Sequence, residues 1–382
     1  MQRGCTQCGE CLDVCPVYRR LRREEYSPKA KRLLLEPLCE DFADPANAGI
    51  SWEQSRELAR LCAGCGRCQK ACARKLSTAD LLAAARAAHP HWTQSLWDLW
   101  IKRMGPAWLS LGYLACAVPG RYTPDMLKPM LGMAKALVDR SVGPVWATLT
   151  KDPAAQVDDS LPVVLFPGCT ATHVRGAWTK KAEALLKAWG YTVLSAPGFG
   201  CCGATMHHAG RFKTQKRMEE HNIELWRELG RPRVAVFCAS CRHGLSSYGD
   251  TALHGAEAET WKRNVTPLSA LLHGATATQQ AEKPAQYGYH QPCHWDVDTD
   301  ILWLKTLFGG QMQGKEPCCG MGGILQMENA ALSRQMAKAC LDGFPSSVKH
   351  ILTGCSGCVM QLNATAPRGV TVSHWLDVVS VD

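Results

Sequence analysis

The sequence predicts a multidomain protein in which a small helical, α+β-class N-terminal domain precedes two α/β repeats. Three observations lead to this prediction. Two cysteine clusters lie in the first 88 residues, short β-rich runs alternate with amphipathic helices from residue 161 onward, and one set of cysteines recurs at a fixed spacing. The length of 382 residues suits two or three domains. We expect a domain over 1–88, a helical connector over 89–150, and repeats over 161–272 and 287–382.

Cysteine is the unusual component of the composition, at 21 of 382 residues. The first cysteine motif starts at Cys5, which leaves no room for a signal peptide, so we expect a cytoplasmic protein whose thiols stay reduced. Such cysteines hold metal more often than they form disulfides. The formal net charge of +9 is typical of nucleic-acid binding. Thiolates in metal clusters would cancel much of it, so we expect no nucleic-acid partner.

Two motifs of one pattern lie in the N-terminal domain: "CTQCGECLDVCP" from Cys5 and "CAGCGRCQKACA" from Cys62. This is the pattern of bacterial two-cluster ferredoxins, in which the fourth cysteine of each motif ligates the other cubane [4Fe-4S] cluster. The ligands expected for one cluster are Cys5, Cys8, Cys11 and Cys72. Those expected for the other are Cys62, Cys65, Cys68 and Cys15. Zinc bound by two CxxC pairs is the alternative, but it would leave half of the eight cysteines without a role.

The connector is rich in tryptophan and methionine and has no apolar run of 18 residues, so we expect no transmembrane helix. Its aromatic and basic residues suit an amphipathic segment on a membrane surface or a membrane subunit, and a helix hairpin in the core is the alternative. These residues are Trp92, Trp97, Trp100, Trp108, Lys102 and Arg103. The basic stretch 18–25 is interpreted as a solvated face, with a docking patch for an acidic partner as the alternative.

Polar stretches at 151–160 and 273–286 are interpreted as linkers around the first repeat. In that repeat, the run "PVVLF" is followed by a helical pattern, "TKKAEALLKAWG", and the strand "RVAVF" comes later. Strands that alternate with helices predict βαβ units and a parallel sheet, as in Rossmann-like folds. The pattern then begins again after the second linker.

The second half is a duplication, because four cysteines recur at one offset. Cys201, Cys202, Cys238 and Cys241 each lie 117 residues before Cys318, Cys319, Cys355 and Cys358. The leading cysteines, Cys169 and Cys293, are 124 residues apart, so one loop differs by seven residues.

Each repeat thus holds one cysteine, then an adjacent pair followed by glycine, then a CxxC. Five thiolates are too many for one zinc ion or one cubane, and two adjacent cysteines suit an extended cluster. Gly203 and Gly320 would let the backbone approach the inorganic core without a Cβ in the way. Because Cys169 and Cys238 end β-rich runs, we expect the ligands to gather at the carboxyl ends of parallel strands.

These motifs resemble those of the CCG-domain (cysteine-rich domain) family. It includes the catalytic subunit of heterodisulfide reductase and the iron-sulfur subunits of glycolate, D-lactate and anaerobic glycerol-3-phosphate dehydrogenases. The resemblance implies one noncubane [4Fe-4S] cluster in each complete repeat. Its ligands would be Cys169, Cys201, Cys202, Cys238 and Cys241 in the first repeat. In the second repeat they would be Cys293, Cys318, Cys319, Cys355 and Cys358.

The resemblance leads to two functional hypotheses. In the first, a subunit of heterodisulfide-reductase type passes electrons through the two cubanes to two noncubane clusters that reduce or form a disulfide. Its catalytic residues would be Cys201, Cys202, Cys318 and Cys319, with His290 and His294 in "HQPCH" as proton donors. In the second, an iron-sulfur relay delivers electrons from a flavin dehydrogenase to quinone. "GFGCCG" also fits the dinucleotide pattern GxGxxG, but we assign it to the cluster motif.

The expected partners are other subunits of a redox complex, either a membrane cytochrome or quinone-interacting subunit, or a flavoprotein, together with a disulfide or thiol substrate. We expect the protein on the cytoplasmic face of the membrane, attached peripherally. Cys39, Cys116 and Cys340 have no motif partners and are expected to be buried apolar residues.

Overall fold

The computed structural model describes residues 4–40, 50–102, 105–119, 123–124, 128–138, 144–195, 198–280, 283–295, 299–314 and 318–381. Within these ranges, only the backbone is described for residues 37–40, 52, 93, 96, 97, 102, 128–130, 133 and 311–313.

The described residues form a mixed α/β structure. The strands are β1 (Ala147–Lys151), β2 (Val163–Phe166), β3 (Val193–Leu194), β4 (Arg233–Val236), β5 (Val265–Pro267), β6 (Ala275–Gln279), β7 (Tyr287–Tyr289), β8 (Gln311–Gln313), β9 (His350–Thr353), β10 (Thr371–His374) and β11 (Val379–Val381). The helices of the N-terminal third are α1 (Glu10–Asp13), α2 (Pro16–Leu21), α3 (Pro28–Glu40), α4 (Trp52–Arg60), α5 (Arg67–Ala71), α6 (Thr78–Ala88), α7 (Trp92–Lys102), α8 (Trp108–Ala117) and α9 (Lys128–Val138). The helices of the repeats are α10 (Gly168–His173), α11 (Gly176–Ala188), α12 (Ala204–His208), α13 (Phe212–Glu228), α14 (Ala239–Thr251), α15 (Gly255–Asn264), α16 (Leu268–Leu271), α17 (Thr299–Phe308), α18 (Leu325–Glu328), α19 (Ala330–Asp342) and α20 (Ser356–Asn363).

Local sequence explains where the N-terminal helices begin. Pro16 occupies the first turn of α2, where its missing N–H costs no hydrogen bond. Ser51 caps α4 in a reciprocal capping box with Gln54, and the Ser77 hydroxyl accepts a hydrogen bond from the Asp80 amide at the start of α6. Side chains therefore satisfy amide groups that would have no partner at these helix ends.

The two repeats build two parallel four-stranded sheets with the same strand order. In the first sheet the order is β3-β2-β4-β5, and in the second it is β8-β7-β9-β10. In each case the first and third strands of the repeat are neighbours at the centre, and the pairings within each sheet are parallel. The duplication read from cysteine spacing is thus repeated in the topology.

A third sheet includes residues of the segments that the sequence predicts to be linkers. Here β1 pairs antiparallel with β6, which lies within 273–286, and parallel with β11 at the end of the chain. The Thr150 and Thr276 hydroxyls are 2.8 Å apart across β1 and β6. The sequence missed these strands because threonine and alanine dominate them, and they are only partly buried.

The two repeats share one apolar core, which includes buried tryptophans from both. Buried polar contacts also join them. The Trp178 Nε1–H donates to Asp377 Oδ1 at 2.6 Å, and the His374 ring nitrogen lies 3.0 Å from the Phe237 carbonyl oxygen. Each contact pairs a residue of the first repeat with one near the C-terminus.

The N-terminal domain packs against both repeats. Arg86 of α6 donates to the His208 carbonyl at 2.7 Å, and Arg60 of α4 donates to the Glu328 carbonyl at 3.1 Å. Between α12 and α13, Gly210 adopts a positive φ of 70°. A Cβ built there would lie 2.6 Å from the Ala87 amide nitrogen and 2.8 Å from the Ala83 carbonyl oxygen. This glycine permits the close approach of α6 to the first repeat.

Replacing Gly210 with alanine should destabilise this contact. The control is Gly230→Ala, because Gly230 has a similar φ of 81° and no atom within 4 Å of its added Cβ. Both variants carry the backbone cost of a positive φ, about 1 kcal/mol. Only Gly210→Ala adds a clash with a neighbouring backbone, worth about 1–3 kcal/mol. Melting temperatures measured anaerobically should therefore fall further for Gly210→Ala. Equal losses would mean that α6 does not pack there.

Candidate metal centres

Cysteines of both repeats, Cys169, Cys238 and Cys355, lie at the carboxyl ends of central strands. Cys169 follows β2 in the first turn of α10, and Cys238 follows β4 as the N-cap residue of α14. In the second repeat, Cys355 follows β9 as the N-cap residue of α20, with an extended backbone like that of Cys238. The structure therefore brings these residues to the sheet edge that the sequence predicts.

The glycine after each cysteine pair adopts the same backbone conformation. Gly203 and Gly320 both have φ of 78° and precede a short helical or turn segment. A Cβ on Gly203 would lie 3.3 Å from Gln215, and one on Gly320 would clash with the Ser333 carbonyl oxygen. The atoms that exclude a side chain here belong to α13 and α19. The described contacts thus account for these glycines by left-handed backbone and helix packing, a reason different from the expected approach to an inorganic core.

The five thiols of the first repeat form one buried cluster. Each of the five thiols interacts with a neighbouring thiol: Cys169 with Cys201, Cys201 with Cys202, Cys202 with Cys241, and Cys241 with Cys238. The neighbouring Cys201 and Cys241 thiols lower the pKa of Cys202 to about 5. A row of buried thiols without cationic partners suits deprotonation by metal, because a bound cation replaces the protons.

The thiols of the second repeat form a matching cluster. Cys358 and Cys319 have their sulfurs 3.3 Å apart, and His290 joins them in a buried group whose potential ligand atoms all lie within 4.8 Å of one another. Burial raises the pKa of Cys293 to about 12, with the neighbouring Cys319 adding to the shift. Cys318 completes the set and is also buried.

The two clusters meet where β4 and β9 end. The Cys238 sulfur lies 3.0 Å from the Ser356 hydroxyl, and the Ser240 hydroxyl lies 3.2 Å from the Cys355 sulfur. The Cys238 and Cys355 thiols also interact, and each shifts the pKa of the other. The thiols of the two repeats are therefore contiguous.

The N-terminal cysteines form two neighbouring groups. Cys5, Cys8, Cys11 and Cys72 line one cavity of about 50 Å³, which Cys68 also reaches. Cys15 interacts electrostatically with Cys62, and Cys68 interacts with both. Each group includes the fourth cysteine of the other motif, as the ferredoxin pattern expects.

Exposure differs strongly between these two groups. Cys8 is exposed, whereas Cys65 is 8% exposed and interacts electrostatically with Cys293 of the second repeat. Ala63, Cys65 and Cys318 belong to one apolar cluster. One group thus lies at the surface, and the other lies against the second repeat.

A cavity of about 340 Å³ lies beside the thiols of the first repeat. On its other side are Leu99, Trp100 and Trp108 of the connector, and Ser356 and Gly357 of the second repeat contribute to its lining. None of the described residues that line it is Lys, Arg, Asp or Glu.

Two imidazoles, those of His208 and His294, line this cavity. Burial lowers the pKa of His294 to about 4, with His243 adding to the shift, and burial lowers that of His208 well below its usual range. The His294 ring stacks on His243 with centroids 4.4 Å apart, and its Nε2 lies 3.0 Å from the Gly64 carbonyl oxygen. Both imidazoles that line the cavity are therefore neutral near pH 7.

The structure separates the two histidines of "HQPCH". His294 lines the cavity, whereas the residues that line it do not include His290. The Nδ1 of His290 lies 3.3 Å from the Cys340 sulfur. Burial acts to lower the pKa of His290, but Cys340 and Cys319 raise it to about 10.

The prediction that three cysteines without motif partners are buried apolar residues has a different outcome for each. Cys340 is fully buried, but its contact with His290 is polar, and the sequence offered no spacing signal for that pair. Cys116 is exposed, so the expectation that it is buried was wrong. It lies on α8, whose buried residues face one side only. The side chain of Cys39 is outside the described residues.

Ser240 and Ser356 were not predicted as site residues, because serine within a CxxC motif carries no signal of its own.

No helix within the described ranges has the length and apolar character needed to cross a membrane.

Comparison with known proteins identifies the domains. A family model described as a cysteine-rich domain (CCG) matches residues 163–246 and 287–363, and one described as a 4Fe-4S dicluster domain matches residues 1–76. These matches show that the chain is an iron-sulfur protein.

Several of the similar curated proteins are named as subunits of redox enzymes. The glycolate oxidase iron-sulfur subunit of Escherichia coli (strain K12) is 23% identical over 399 residues, covering 99% of this chain and 93% of the relative. A component of the dihydromethanophenazine:CoB–CoM heterodisulfide reductase of Methanosarcina barkeri is 22% identical, covering 94% and 88%. Lactate utilization protein A of Shouchella clausii is 23% identical, covering 57% and 98%.

The contact between α6 and α12 should make stability depend on pH. His207 Nε2 lies 2.9 Å from Asp80 Oδ1. Burial acts to lower the pKa of His207, but Asp80 raises it above its usual value of about 6.5. The stabilisation is therefore fully present below about pH 6.5 and is lost as pH rises through the raised pKa. Asp80→Asn should lower the melting temperature at about pH 6 and have less effect near pH 9. An equal effect at both values would contradict this ion pair.

Proposed function

We propose, from the premise that this chain belongs to the cysteine-rich-domain iron-sulfur proteins with an N-terminal 4Fe-4S dicluster domain, that it is an electron-transfer subunit of heterodisulfide-reductase type. The observation that carries the proposal is the contiguity of the two thiol clusters at Cys238 and Cys355. Metal centres held by these two thiol clusters would be close enough to deliver two electrons to one substrate, which is what cleavage of a disulfide requires.

The proposed cofactors are two cubane [4Fe-4S] clusters in the N-terminal domain and one noncubane [4Fe-4S] cluster in each repeat. The cysteines named above would hold them, and their free thiols, gathered in groups, fit such clusters. When bound, the clusters supply one-electron redox chemistry. We also propose that 1–88, 89–150, 161–272 and 287–382 are the domains, and that each repeat is Rossmann-like. The common strand order supports the last point.

The positions of the cysteine groups between the surface and the cavity support one direction of electron transfer. Electrons would enter near the exposed Cys8 and continue past the buried Cys65. Cys65 adjoins Cys293 of the second repeat, and Cys355 adjoins Cys238 of the first. The path ends at the cavity beside the first repeat.

The residues of this cavity fit a disulfide substrate. Reduction breaks one S–S bond, takes up two electrons and two protons, and yields two thiols. His294 reaches the cavity, whereas His290 lies away from it. His294 is therefore the better placed of the two to relay a proton to a leaving sulfur; because its imidazole is neutral near pH 7, it would take up a proton first and then pass it on. The apolar connector side chains would keep water away from the substrate.

The second candidate function, an iron-sulfur relay from a flavin dehydrogenase to quinone, is favoured by the neutrality of the cavity. Its described lining has no charged side chain to bind an anionic substrate, and Trp100 and Trp108 offer aromatic faces. Relatives named as glycolate oxidase and lactate utilization proteins support this alternative. Copurification of a flavoprotein that oxidises a hydroxy acid would favour the relay, whereas disulfide cleavage by the isolated chain would favour the reductase.

We propose that the partners are a membrane cytochrome, a quinone-interacting subunit or a flavoprotein, and that the chain sits at the cytoplasmic face of the membrane. The connector supports this placement. Trp92 and Leu114 are 68% and 65% exposed on α7 and α8. Trp108, by contrast, is buried and donates to the Trp100 carbonyl, so that end of the segment is core. The Trp97 and Lys102 side chains and Arg103 lie outside the described residues.

Replacing one cysteine of each pair tests the cluster assignment. Cys201→Ser and Cys318→Ser should each lose about four of roughly sixteen irons and abolish disulfide reduction, while the EPR signals of the cubanes remain. Cys116→Ser is the control, because Cys116 is exposed and belongs to no motif. Iron and sulfide analysis with EPR of anaerobically purified protein provides the measurement. Disulfide reduction retained in either variant would refute the proposed reductase, and zinc in place of iron would refute the clusters.

Charged residues on the connector test the proposed location. Trp92→Glu combined with Leu114→Glu should shift the protein from the membrane fraction to the supernatant when neighbouring genes are co-expressed. The matched control is Leu302→Glu, because Leu302 is 62% exposed on α17, in the second repeat. Wild-type protein that remains in the supernatant at low salt would show that the placement is wrong.

A further inference from the structure

The second repeat contains a buried polar pair, His290 and Cys340, next to its predicted ligands, and Cys340 belongs to no assigned motif. His290 directly follows β7, and Cys340 lies on α19. Both are buried, with 3.3 Å between the imidazole Nδ1 and the Cys340 sulfur. A ring nitrogen of the imidazole also lies within 4.8 Å of the Cys319 sulfur. His290 therefore bridges a predicted ligand and a cysteine outside the ligand set.

Strand register identifies the residue that takes the place of His290 in the first repeat. Tyr289 pairs with Leu352 on β9, and Leu165 pairs with Ala235 on β4. The next residue after Tyr289 is His290, and the next after Leu165 is Phe166. Phe166 is 1% exposed and packs on Phe199, with ring centroids 5.4 Å apart. An apolar ring thus replaces the imidazole.

Cys340 also has a different counterpart in the first repeat. Helix α13 begins at Phe212 and α19 at Ala330, so a count from the helix starts pairs Cys340 with Asn222, whereas the offset of 117 between the repeats pairs it with the neighbouring Ile223. The Asn222 side chain accepts from the Gly200 amide and donates to the Cys201 carbonyl. It therefore supports the loop of the cysteine pair through the backbone. Cys340 instead meets an imidazole.

The geometry defines what the pair does. With Nδ1 facing the Cys340 sulfur, Nε2 is the nitrogen left for Cys319. The ring donates to the Cys319 sulfur in either protonation state: as an imidazolium, whose Nδ1–H donates to Cys340, and as the neutral Nε2–H tautomer, whose Nδ1 accepts from the Cys340 thiol. A hydrogen bond to a ligand sulfur stabilises the extra negative charge of a reduced iron-sulfur cluster and so makes its reduction potential more positive.

We propose that the His290–Cys340 pair makes the metal centre of the second repeat easier to reduce than that of the first. His290 donates to the Cys319 sulfur, and Cys340 is a positioning residue that sets the tautomer and orientation of His290. Phe166 gives the first repeat no such donor. The inference rests on the proposed clusters. It implies that an electron from the N-terminal domain stays in the second repeat until a second electron or a substrate draws it onward.

Four variants of the full-length protein test this in EPR-monitored redox titrations. His290→Phe copies the first repeat and should shift one noncubane midpoint potential to a more negative value without loss of iron. His290→Gln keeps an N–H donor and should restore most of the potential. Cys340→Ala should give a smaller negative shift. Phe166→Leu is the control within the first repeat and should shift neither potential.

The outcomes separate this inference from the proposed function. Full iron content with unchanged potentials in His290→Phe and Cys340→Ala would overturn the inference and leave the clusters in place. Loss of iron in both His290→Phe and His290→Gln would overturn it by showing that His290 is itself a ligand. Wild-type protein with iron only in the N-terminal domain would overturn the proposed function, and the inference with it.

Discussion

The Ala239 amide donates to the Gly354 carbonyl at 2.8 Å, and this hydrogen bond fixes how the two repeats face each other. It joins the residue after Cys238 to the residue before Cys355, so both N-capping cysteines lie at one junction. Gly354 is required there, because a Cβ would clash with the buried Asp300 carboxylate. Every proposed step of electron transfer between the repeats depends on this contact between two strand ends.

Asp300 shows how much polar structure supports that junction. Its carboxylate accepts a hydrogen bond from the Ser269 hydroxyl and another from Trp375 Nε1 at 3.1 Å. Burial raises its pKa to about 7 despite these donors. Ser269 lies at the end of the first repeat and Trp375 near the end of the second. One carboxylate thus links both repeats behind the row of thiols.

Cysteine spacing predicted much of the site because ligand chemistry leaves few alternatives. The crossed grouping of Cys15 and Cys72 and the collection of thiols at strand ends both follow from pattern alone. The partners of His290 did not follow, because strand register and helix phase bring Cys340 to it across 50 residues. The same limit applied to β6, where a polar composition signals a linker and only its pairing with β1 makes it a strand. Contacts that depend on tertiary geometry leave no local signal in a single sequence.

The third sheet has a consequence for how this chain reaches its folded state. The Thr148 and Ser380 hydroxyls lie 3.3 Å apart although 232 residues separate them. Closing so long a loop is slow, and during synthesis β1 must wait until the residues as far as β11 have left the ribosome. Until then the edge of β1 that receives β11 stays unpaired. The pairing of β1 with β11 therefore forms only after both repeats have been synthesised.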